Sequence, residues 1–337
     1  MQVCKKCILP SNFKDITFNE EGNCSYCTSN KTVAKERKVT EAEKIKYSKE
    51  IDDIIESTRG KGQYDCAIGF SGGKDSSYLL WLLKEKYNLN VLAITVDHGF
   101  FPDVTVSNIN EVPKKLGIDV VSYKLNTGFM NRFFKYKFEN YETKAIFDSV
   151  CADCSNIIEG SVMKIATLFN IPLVFIGLSP EQVNRYFYEI PYDHINSNWI
   201  KEEFSKEENF HVNDRLYMWD AKTESAKNLK VILPFHVWDY DEEQVVIKLE
   251  ELGLLSSLNS NPLKTRCKIL DTMSYVDKNR VGYDGFIAPF SDLIRFGKAP
   301  REKYFNMFYK DEYVVNMEHV HEVTEKLNLD MDYIINK

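Results

Sequence analysis

From residue 65 onward, continuous apolar runs alternate with segments whose apolar positions repeat with helical spacing. The apolar runs predict strands at Asp65–Phe70, Val91–Asp97, Asp119–Lys124, Leu173–Gly177 and Val231–Pro234. The helical spacing predicts helices at Ser76–Tyr87, Val104–Leu116, Ile157–Phe169 and Asp241–Leu252. Because the strand segments are apolar throughout rather than alternating, they are typical of a parallel sheet covered on both faces. The pattern predicts a doubly wound α/β fold, in which ligands bind beyond the carboxyl ends of the strands.

The rest of the chain divides by composition around this α/β region. Residues 1–30 form a small cysteine-containing module, and residues 31–60 are charged and helix-prone, which predicts a linker helix with a solvated face. The α/β domain is expected to span residues 61–255, with an aromatic-rich insertion at 184–229 that forms a substrate lid or an oligomer interface. Residues 256–337 are expected to form a helical C-terminal region.

The most informative local motif is SGGKDS at Ser71–Ser76, directly after the first predicted strand. A glycine turn that opens a helix presents backbone N–H groups to an anion and lets the backbone approach a phosphate closely. The lysine adds a positive charge, and the serine hydroxyls add donors. The other interpretation is an ordinary strand–turn–helix connection with a helix-capping serine. The residues expected to contact a phosphate ligand here are Phe70, Ser71, Gly72, Gly73, Lys74, Asp75 and Ser76.

Other candidates lie near this loop or stand alone. Asp97 ends the second predicted strand, which places it at the same sheet edge, where it contacts a nucleotide or its magnesium ion, or caps the loop. His98 beside it is interpreted as a local hydrogen-bonding residue. Asp75 either holds magnesium or caps its helix. Basic residues that either clamp a phosphate or substrate, or are only surface charges, are Arg266, Lys268 and Arg295.

Two closely spaced cysteine pairs lie in the N-terminal module, namely Cys4 with Cys7 and Cys24 with Cys27. This spacing is typical of a four-thiolate tetrahedral zinc site; the alternative is free thiols or disulfides. Because about thirty residues cannot bury enough apolar surface to fold alone, metal binding would supply the folding free energy. Four protein ligands leave no open position, so the zinc is expected to be structural.

A second cysteine set comprises Cys151, Cys154 and the distant Cys267. The CxxC pair lies just before the predicted helix Ile157–Phe169. Three thiolates can hold a 4Fe-4S cluster and leave one iron open to an exogenous ligand. The other interpretations are a redox pair or buried cysteines that act as small hydrophobic residues. Cys66 lies in a predicted core strand and is interpreted as a core residue.

Composition narrows the class of protein. The chain has 337 residues, of which 44% are hydrophobic, and a net charge of −7. It can therefore bury a sizeable core, and its acidity argues against a large nucleic-acid surface. We expect no membrane-spanning helix, because no stretch of about 18 apolar residues occurs. The absence of a signal-like N-terminal segment and the presence of eight cysteines favour a cytoplasmic, metal-binding protein over a disulfide-bonded one.

The Ser71–Ser76 motif resembles the SGGxDS pyrophosphate loop of the PP-loop ATP pyrophosphatases, which adenylate an oxygen and release pyrophosphate. The resemblance implies that the loop binds ATP with Mg²⁺ and that Lys74, Asp75 and Asp97 act in catalysis. It also implies that the turn at Gly177–Gln182 approaches the nucleotide. The candidates in that turn are Gly177, Ser179 and Glu181.

The order of the cysteine module, the loop, Gly177–Gln182 and Pro289–Asp292 resembles the N-acetyl sugar amidotransferases over nearly the full chain. That family acts in lipopolysaccharide O-antigen and in pseudaminic and legionaminic acid biosynthesis. The resemblance implies that the enzyme adenylates the acetamido oxygen of a sugar, free or nucleotide-linked, and replaces it with ammonia-derived nitrogen. It further implies separate glutaminase and cyclase-like subunits that supply the ammonia. Neither a nucleic acid nor a membrane is expected as a partner, and homo-oligomerisation stays open.

Two other functions remain open at this point. The second cysteine set resembles that of the iron–sulfur tRNA thiolation enzymes, another branch of the same superfamily. A third interpretation is a zinc-ribbon adaptor that binds nucleotide without turnover. The acidic net charge and the aromatic-rich insertion favour a sugar substrate over tRNA.

Overall fold

The computed structural model describes residues 1–29, 40–140, 147–185, 228–310 and 314–337. These residues contain a five-stranded parallel sheet in the order β3-β2-β1-β4-β5. The strands are β1 (Cys66–Gly69), β2 (Val91–Asp97), β3 (Asp119–Lys124), β4 (Leu173–Ile176) and β5 (Lys230–Ile232). The chain winds outward from β1 in both directions, so the predicted doubly wound fold is confirmed.

Helices cover both faces of the sheet and form the C-terminal part of the chain. In chain order they are α1 (Ser25–Thr28), α2 (Glu41–Thr58), α3 (Lys74–Trp81), α4 (Asp103–Leu116), α5 (Thr127–Glu139), α6 (Phe147–Leu168), α7 (Pro180–Arg185), α8 (Glu242–Glu251), α9 (Ser257–Ser260), α10 (Pro262–Thr265), α11 (Lys268–Arg280), α12 (Ile287–Arg295), α13 (Arg301–Tyr309), α14 (Met317–Leu327) and α15 (Met331–Asn336). A π-helical turn at Leu82–Lys86 continues α3, and a 3-10 turn at Pro234–His236 follows β5. No helix of the described residues is long and apolar enough to cross a membrane.

The central strand β1 is buried on both faces. Ala67 belongs to the apolar core that contains Phe133 of α5, whereas Cys66 and Ile68 belong to the opposite core, which contains Ile51 of α2. This alternation follows from the two-residue repeat of a strand. Cys66 is fully buried, so its interpretation as a core residue is confirmed. The carboxyl end of β1 is therefore a rigid starting point for the loop that follows.

The edge strand β3 departs from the prediction that every strand is apolar throughout. Its residues are exposed or half-buried along their length, and among the described strands it pairs only with β2. Asp119 and Lys124 open and close it. An edge strand has one solvent-facing side, and charged residues there discourage pairing with another chain. The prediction fails at β3 because a strand at the sheet edge is not covered as the central strands are.

Two helices of the structure also differ from the prediction. The helix predicted from Ile157 begins at Phe147 as α6, so Cys151 and Cys154 lie within a helix rather than before one. Helix α5 has no counterpart in the prediction; it is capped by Asn126, whose side chain accepts a hydrogen bond from the helix backbone. The three-residue spacing of the two cysteines on α6 places both thiols on the same helix face.

The linker helix is present as α2, and it is better packed than its charge pattern predicts. Thr40 and Glu43 form a reciprocal capping box at its start. Tyr47, Ile51 and Ile55 are buried on its inward face. The solvated-face interpretation therefore holds for only one side of the helix. The insertion predicted at 184–229 lies almost entirely outside the described residues.

The N-terminal module packs against helices from the other end of the chain. Ile8 and Leu9 are buried in one apolar cluster with Leu293 of α12 and Tyr304 of α13. The Asn12 side chain donates to the carbonyl of Val281, 2.8 Å away. The module thus folds against the C-terminal helices instead of standing apart.

Candidate active site and cysteine sites

The Ser71–Ser76 loop connects the carboxyl end of β1 to the start of α3. Gly73 is the N-cap of α3 in an extended conformation, and no side chain caps this helix end. The first backbone N–H groups of α3 therefore face outward from the helix terminus, where the helix dipole favours negative charge. This is the anion-binding arrangement that the sequence predicts. Neither serine is the N-cap, so the helix-capping interpretation is wrong.

Gly72 holds the loop tightly against α4. Its φ of +73° lies in the left-handed region, and a Cβ there would lie 2.9 Å from Ile109 Cγ1 and 3.0 Å from the carbonyl oxygen of Thr105. Asn108 Nδ2 donates to the Gly72 carbonyl at 2.9 Å and to the Asn259 carbonyl at 3.0 Å. Both the backbone angle and the contact distance require glycine at this position.

The two loop serines close the turn on itself. Ser71 Oγ lies 3.1 Å from Ser76 Oγ, and the Ser76 hydroxyl donates to the Gly73 carbonyl at 3.2 Å. The Gly73 N–H points at Ser71 Oγ, 3.4 Å away. Phe70 is buried just before the loop, and its carbonyl accepts a hydrogen bond from Thr95. The loop is therefore preorganised by internal contacts.

Lys74 is a buried cation at the start of α3. Its Nζ lies 2.9 Å from both carboxylate oxygens of Asp75 and 3.5 Å from Glu242 Oε1, and the Tyr240 hydroxyl donates to Asp75. Burial acts to lower the pKa of Lys74, but the charges of Asp75 and Glu242 outweigh it and raise the pKa. Lys74 is therefore protonated and held by carboxylates beside the loop.

A second layer of contacts comes from α13. Lys303 pairs with Glu242, and the Tyr304 hydroxyl donates to Glu181. Burial acts to raise the pKa of Glu242, but Lys74 and Lys303 reverse this and lower it. Two carboxylates near the loop are thus held by one C-terminal helix.

The turn after β4 meets the loop through Gly177. A Cβ on Gly177 would lie 3.0 Å from Ser76 Cα, so the two backbones are in direct contact. Ser179 caps α7: its Oγ accepts from the Gln182 N–H at 3.3 Å, and its own N–H donates to Gln182 Oε1 at 2.9 Å. The structure places Gly177 at the loop, whereas the hydroxyl and N–H of Ser179 are both bonded to Gln182.

Asp97 ends β2 at the same edge of the sheet. Its Oδ1 accepts from the Gly99 N–H at 2.7 Å, which is the loop-capping contact considered above. His98 is buried, and burial lowers its pKa to about 4, so the imidazole is neutral at pH 7. Its Nδ1 accepts from the Phe100 N–H at 3.2 Å, as expected of a local hydrogen-bonding residue.

The four N-terminal cysteines form a compact sulfur tetrahedron. Cys4 Sγ lies 3.8 Å from Cys27 Sγ, Cys7 Sγ lies 3.7 Å from Cys24 Sγ, and all four sulfurs lie within 4.8 Å of one another. Zn–S bonds of about 2.3 Å place the sulfurs of a tetrahedron about 3.8 Å apart, so the set fits one metal ion. Hydrogen bonding with Cys27 lowers the pKa of the Cys7 thiol to about 4, which favours the thiolate that a cation binds. These cysteines are not joined by disulfides.

The fold brings the second cysteine set together from distant parts of the chain. Cys267 is the N-cap of α11, and the Lys268 N–H beside it donates to the Phe100 carbonyl at 2.9 Å. Burial raises the pKa of Cys154, and charge on Cys267 and Cys151 raises it further, so the three thiols lie within electrostatic reach.

The spacing of this second set differs from that of the first. Among the described residues, Cys151, Cys154 and Cys267 do not form a group within 4.8 Å, so they are too far apart to share one tetrahedral ion. His98 Nδ1 lies 4.0 Å from Cys267 Sγ. A multi-iron cluster needs a wider set of thiolates than a single ion, and this arrangement is compatible with it.

Comparison with known proteins identifies the domain that carries the loop. Residues 43–139 match the family model of the PP-loop domain. The chain carries a PP-loop domain. It is also 25% identical over 301 residues to an uncharacterised protein of Methanocaldococcus jannaschii, covering 89% of this chain and 90% of that protein.

Solved structures also align with the chain. The U34-tRNA thiolase NcsA of Methanococcus maripaludis, solved with its 4Fe-4S cluster, aligns at 17% identity and a TM-score of 0.38, covering 94% of this chain and 92% of that one. NMN synthetase of Francisella tularensis aligns at 11% identity and a TM-score of 0.40, covering 85% and 93%. The NH3-dependent NAD synthetase of Campylobacter jejuni subsp. jejuni aligns at 13% identity and 0.40, covering 77% and 96%.

Several residues around the Ser71–Ser76 loop, called the PP-loop from here on, were not identified from the sequence. Tyr240, Glu242, Lys303 and Tyr304 are charged or aromatic residues in helix-prone segments, where such residues are commonly exposed. Asp75 and Tyr240 are 165 positions apart in the chain. No local motif signals such contacts, because they depend on the packing of α8 and α13 beside the PP-loop.

The basic residues proposed as clamps all have acidic partners within the chain. Arg266 pairs with Asp271, Lys268 with Glu322 at 2.6 Å, and Arg295 with Asp292. Asp271 also lies 2.7 Å from His319 Nδ1. These pairs tie α11 to α14 and close the end of α12 on itself. In the structure these residues therefore form ion pairs of the C-terminal helical region, and their role as phosphate or substrate clamps stays a prediction.

Proposed function

We propose that this protein is an ATP-dependent, AMP-forming enzyme that converts the acetamido group of an N-acetyl sugar into an acetamidine. The use of ATP is supported by one observation: the PP-loop domain contains an anion-binding loop with the buried cation Lys74. The choice of an N-acetyl sugar as substrate is supported by the order of the cysteine module, the loop, Gly177–Gln182 and Pro289–Asp292. This order resembles that of the N-acetyl sugar amidotransferases. A net charge of −7 is also unfavourable for a polyanionic RNA substrate.

In the proposed chemistry, adenylation turns the acetamido oxygen into a good leaving group. An acetamido carbonyl is a poor electrophile, and its oxygen leaves poorly. That oxygen attacks the α-phosphorus of MgATP, and the bond to pyrophosphate breaks. Ammonia then adds to the activated carbon, and AMP departs with the former carbonyl oxygen while one proton is released. The products are the acetamidine, AMP and pyrophosphate.

The loop residues have defined roles in this proposal. The N–H groups at the start of α3 and the ammonium of Lys74 stabilise the charge that develops on pyrophosphate. Lys74 exchanges its contacts with Asp75 and Glu242 for phosphate oxygens as ATP binds. Lys303 stays with Glu242, so this carboxylate keeps a cationic partner. Asp75 is then available to the magnesium ion that accompanies ATP.

The nitrogen source is proposed to be ammonia from a separate glutaminase, delivered with a cyclase-like subunit. The isolated protein is then expected to use ammonium salts and not glutamine. Adding the partner glutaminase would make glutamine effective. Glutamine-dependent turnover by the isolated chain would contradict this part of the proposal.

Isotope transfer tests the central step. An acetamido sugar labelled with ¹⁸O in its carbonyl is incubated with MgATP and ammonium, and AMP is analysed by mass spectrometry. We expect one labelled oxygen in AMP and none in pyrophosphate. UDP-linked and CMP-linked acetamido sugars and free sugars are compared, with the Lys74→Met variant as the inactive control. Unlabelled AMP, or AMP formation that no acetamido sugar stimulates, would contradict the proposal.

We further propose that Cys151, Cys154 and Cys267 hold a 4Fe-4S cluster. The set fits such a group because the fold brings three thiols within electrostatic reach of one another, and three thiolates can hold a 4Fe-4S cluster. A cluster bound there would supply an iron with an open position. Anaerobically purified protein is expected to contain iron and labile sulfide, and Cys267→Ser is expected to lose both while keeping zinc. Full activity in colourless, iron-free protein would contradict a role for the cluster.

The gathering of these cysteines also favours a second candidate function, tRNA thiolation. The same loop would then adenylate a base oxygen, and sulfide would replace ammonia. AMP formation with unmodified tRNA and sulfide distinguishes the two candidates. AMP release that depends on tRNA and ignores acetamido sugars would favour the second candidate.

A further inference from the structure

Helix α13 contacts the four-cysteine site with one face. Arg301 donates from Nε to the carbonyl of Cys7 and from Nη2 to the carbonyl of Cys4, both at 2.9 Å. At the other end of the helix, the Tyr309 hydroxyl donates to the carbonyl of Ile8 at 2.8 Å. The backbone of two of the four metal-site residues is therefore bound directly to this helix.

Two other residues of α13, Lys303 and Tyr304, contact the carboxylates around the PP-loop. Positions 301 and 303 lie about 200° apart around a helix, so their side chains point in opposite directions. Lys303 pairs with Glu242, which is the partner of Lys74. Tyr304 is buried, stacks on Phe290 with ring centroids 4.1 Å apart, and donates to Glu181.

We propose that α13 couples metal binding at the four-cysteine site to nucleotide binding at the PP-loop, with Arg301, Lys303 and Tyr304 as positioning residues. Ile8 and Leu9 pack on the C-terminal helices, but the Cys4 and Cys7 backbone is held in place by the metal that joins their thiols, so loss of the metal frees the two carbonyls that bind Arg301. This inference rests on the ATP site of the proposed function and on a metal ion at the four-cysteine site, and not on the sugar substrate.

The sign of the coupling follows from the charges. With α13 in place, Glu242 is paired with Lys303 and Glu181 accepts the Tyr304 hydroxyl. When α13 is released, both carboxylates lose these partners near the loop and oppose the phosphates of ATP. Metal removal therefore weakens ATP binding, by about tenfold if the coupling is of ordinary allosteric size.

A double-mutant cycle between the metal and α13 tests this mechanism. A fluorescent ATP analogue is titrated into wild-type protein and the Lys303→Met/Tyr304→Phe variant, each zinc-loaded and zinc-stripped, with zinc measured by mass spectrometry. We expect stripping to weaken binding about tenfold in the wild type and to add little in the variant, which is already weakened. Equal weakening in both proteins, or none in the wild type, would overturn the proposal.

An Arg301→Lys variant weakens the contact between α13 and the cysteine module while the metal stays bound. Lysine lacks the planar fork that reaches both carbonyls, so the variant is expected to keep zinc and bind the analogue more weakly. Its effect should not add to that of the Lys303→Met/Tyr304→Phe pair. The exposed Tyr333→Phe change serves as the neutral control. Because the readout is nucleotide binding, an error in the sugar assignment would leave this result unchanged, whereas failed ATP binding would refute both proposals.

Discussion

The backbone of Gly177 lies directly against that of Ser76, because a Cβ on Gly177 would be 3.0 Å from Ser76 Cα and 3.2 Å from its nitrogen. This contact joins the end of β4 to the first turn of α3. It sets the position of the helix end that is proposed to face pyrophosphate. The turn after β4 therefore contributes to the proposed ATP site through its backbone.

Gly177→Ala is expected to displace this helix end. The added methyl group meets backbone atoms that cannot rotate away, so we expect a loss of about 1–3 kcal/mol in unfolding free energy and weaker binding of an ATP analogue. Chemical denaturation and analogue titration measure the two effects. Gly62→Ala is the matched control, because its Cβ would meet the nearest atom at an ordinary 3.5 Å. Unchanged affinity in Gly177→Ala would contradict the role of this contact.

Lys74→Met is expected to abolish most ATP binding. The change removes the buried cation and leaves Asp75 and Glu242 facing the phosphates. We expect affinity for the analogue to fall at least tenfold, or about 1.4 kcal/mol. The exposed Lys114→Met change removes one lysine charge elsewhere and should have no effect. Similar affinities for both variants would rule out Lys74 as a phosphate ligand.

Cys24→Ser is expected to prevent metal binding by the four N-terminal cysteines. Serine cannot replace a buried thiolate in the sulfur tetrahedron, so zinc content should fall from about one ion per chain and unfolding free energy should drop. Mass spectrometry and thermal denaturation check both effects. As a control, the Cys66→Ala change in the core strand β1 should leave the zinc content unchanged. Retention of zinc by Cys24→Ser would place the metal elsewhere.

His98 should make stability depend on pH in the mildly acidic range. Burial lowers its pKa from 6.5 to about 4, so below pH 6.5 the unfolded chain takes up a proton that the folded protein does not. Unfolding free energy is therefore expected to fall between pH 6.5 and about pH 4, by about 3 kcal/mol over the full window, and to be unaffected above it. Urea denaturation across this range measures the slope. His98→Asn keeps an acceptor for the Phe100 N–H and should remove this contribution; an unchanged slope would mean that other groups cause it.

Much of the fold and the centre of the site could be predicted because their signals are local. The limits of β2 and β3 agree with the predicted runs at Val91–Asp97 and Asp119–Lys124, and the loop lies at the predicted strand–helix junction. The start of α6 was missed because Cys151 and Cys154 were interpreted as a ligand motif, although Val150, Cys154 and Ile157 continue the apolar spacing of a helix. The exposure of β3 was missed because a strand's place at the sheet edge depends on its neighbours.

By itself, the sequence determined the doubly wound sheet, the phosphate loop and the paired cysteines, since each depends on residues within a few positions of one another. Only the tertiary structure brought Cys267 to Cys151 and Cys154, and Tyr304 to Glu181 across 123 positions. It also showed that α13 contacts both the cysteine module and the PP-loop carboxylates. Such contacts depend on how distant helices pack, and burial and charge pairing become defined only once that packing exists.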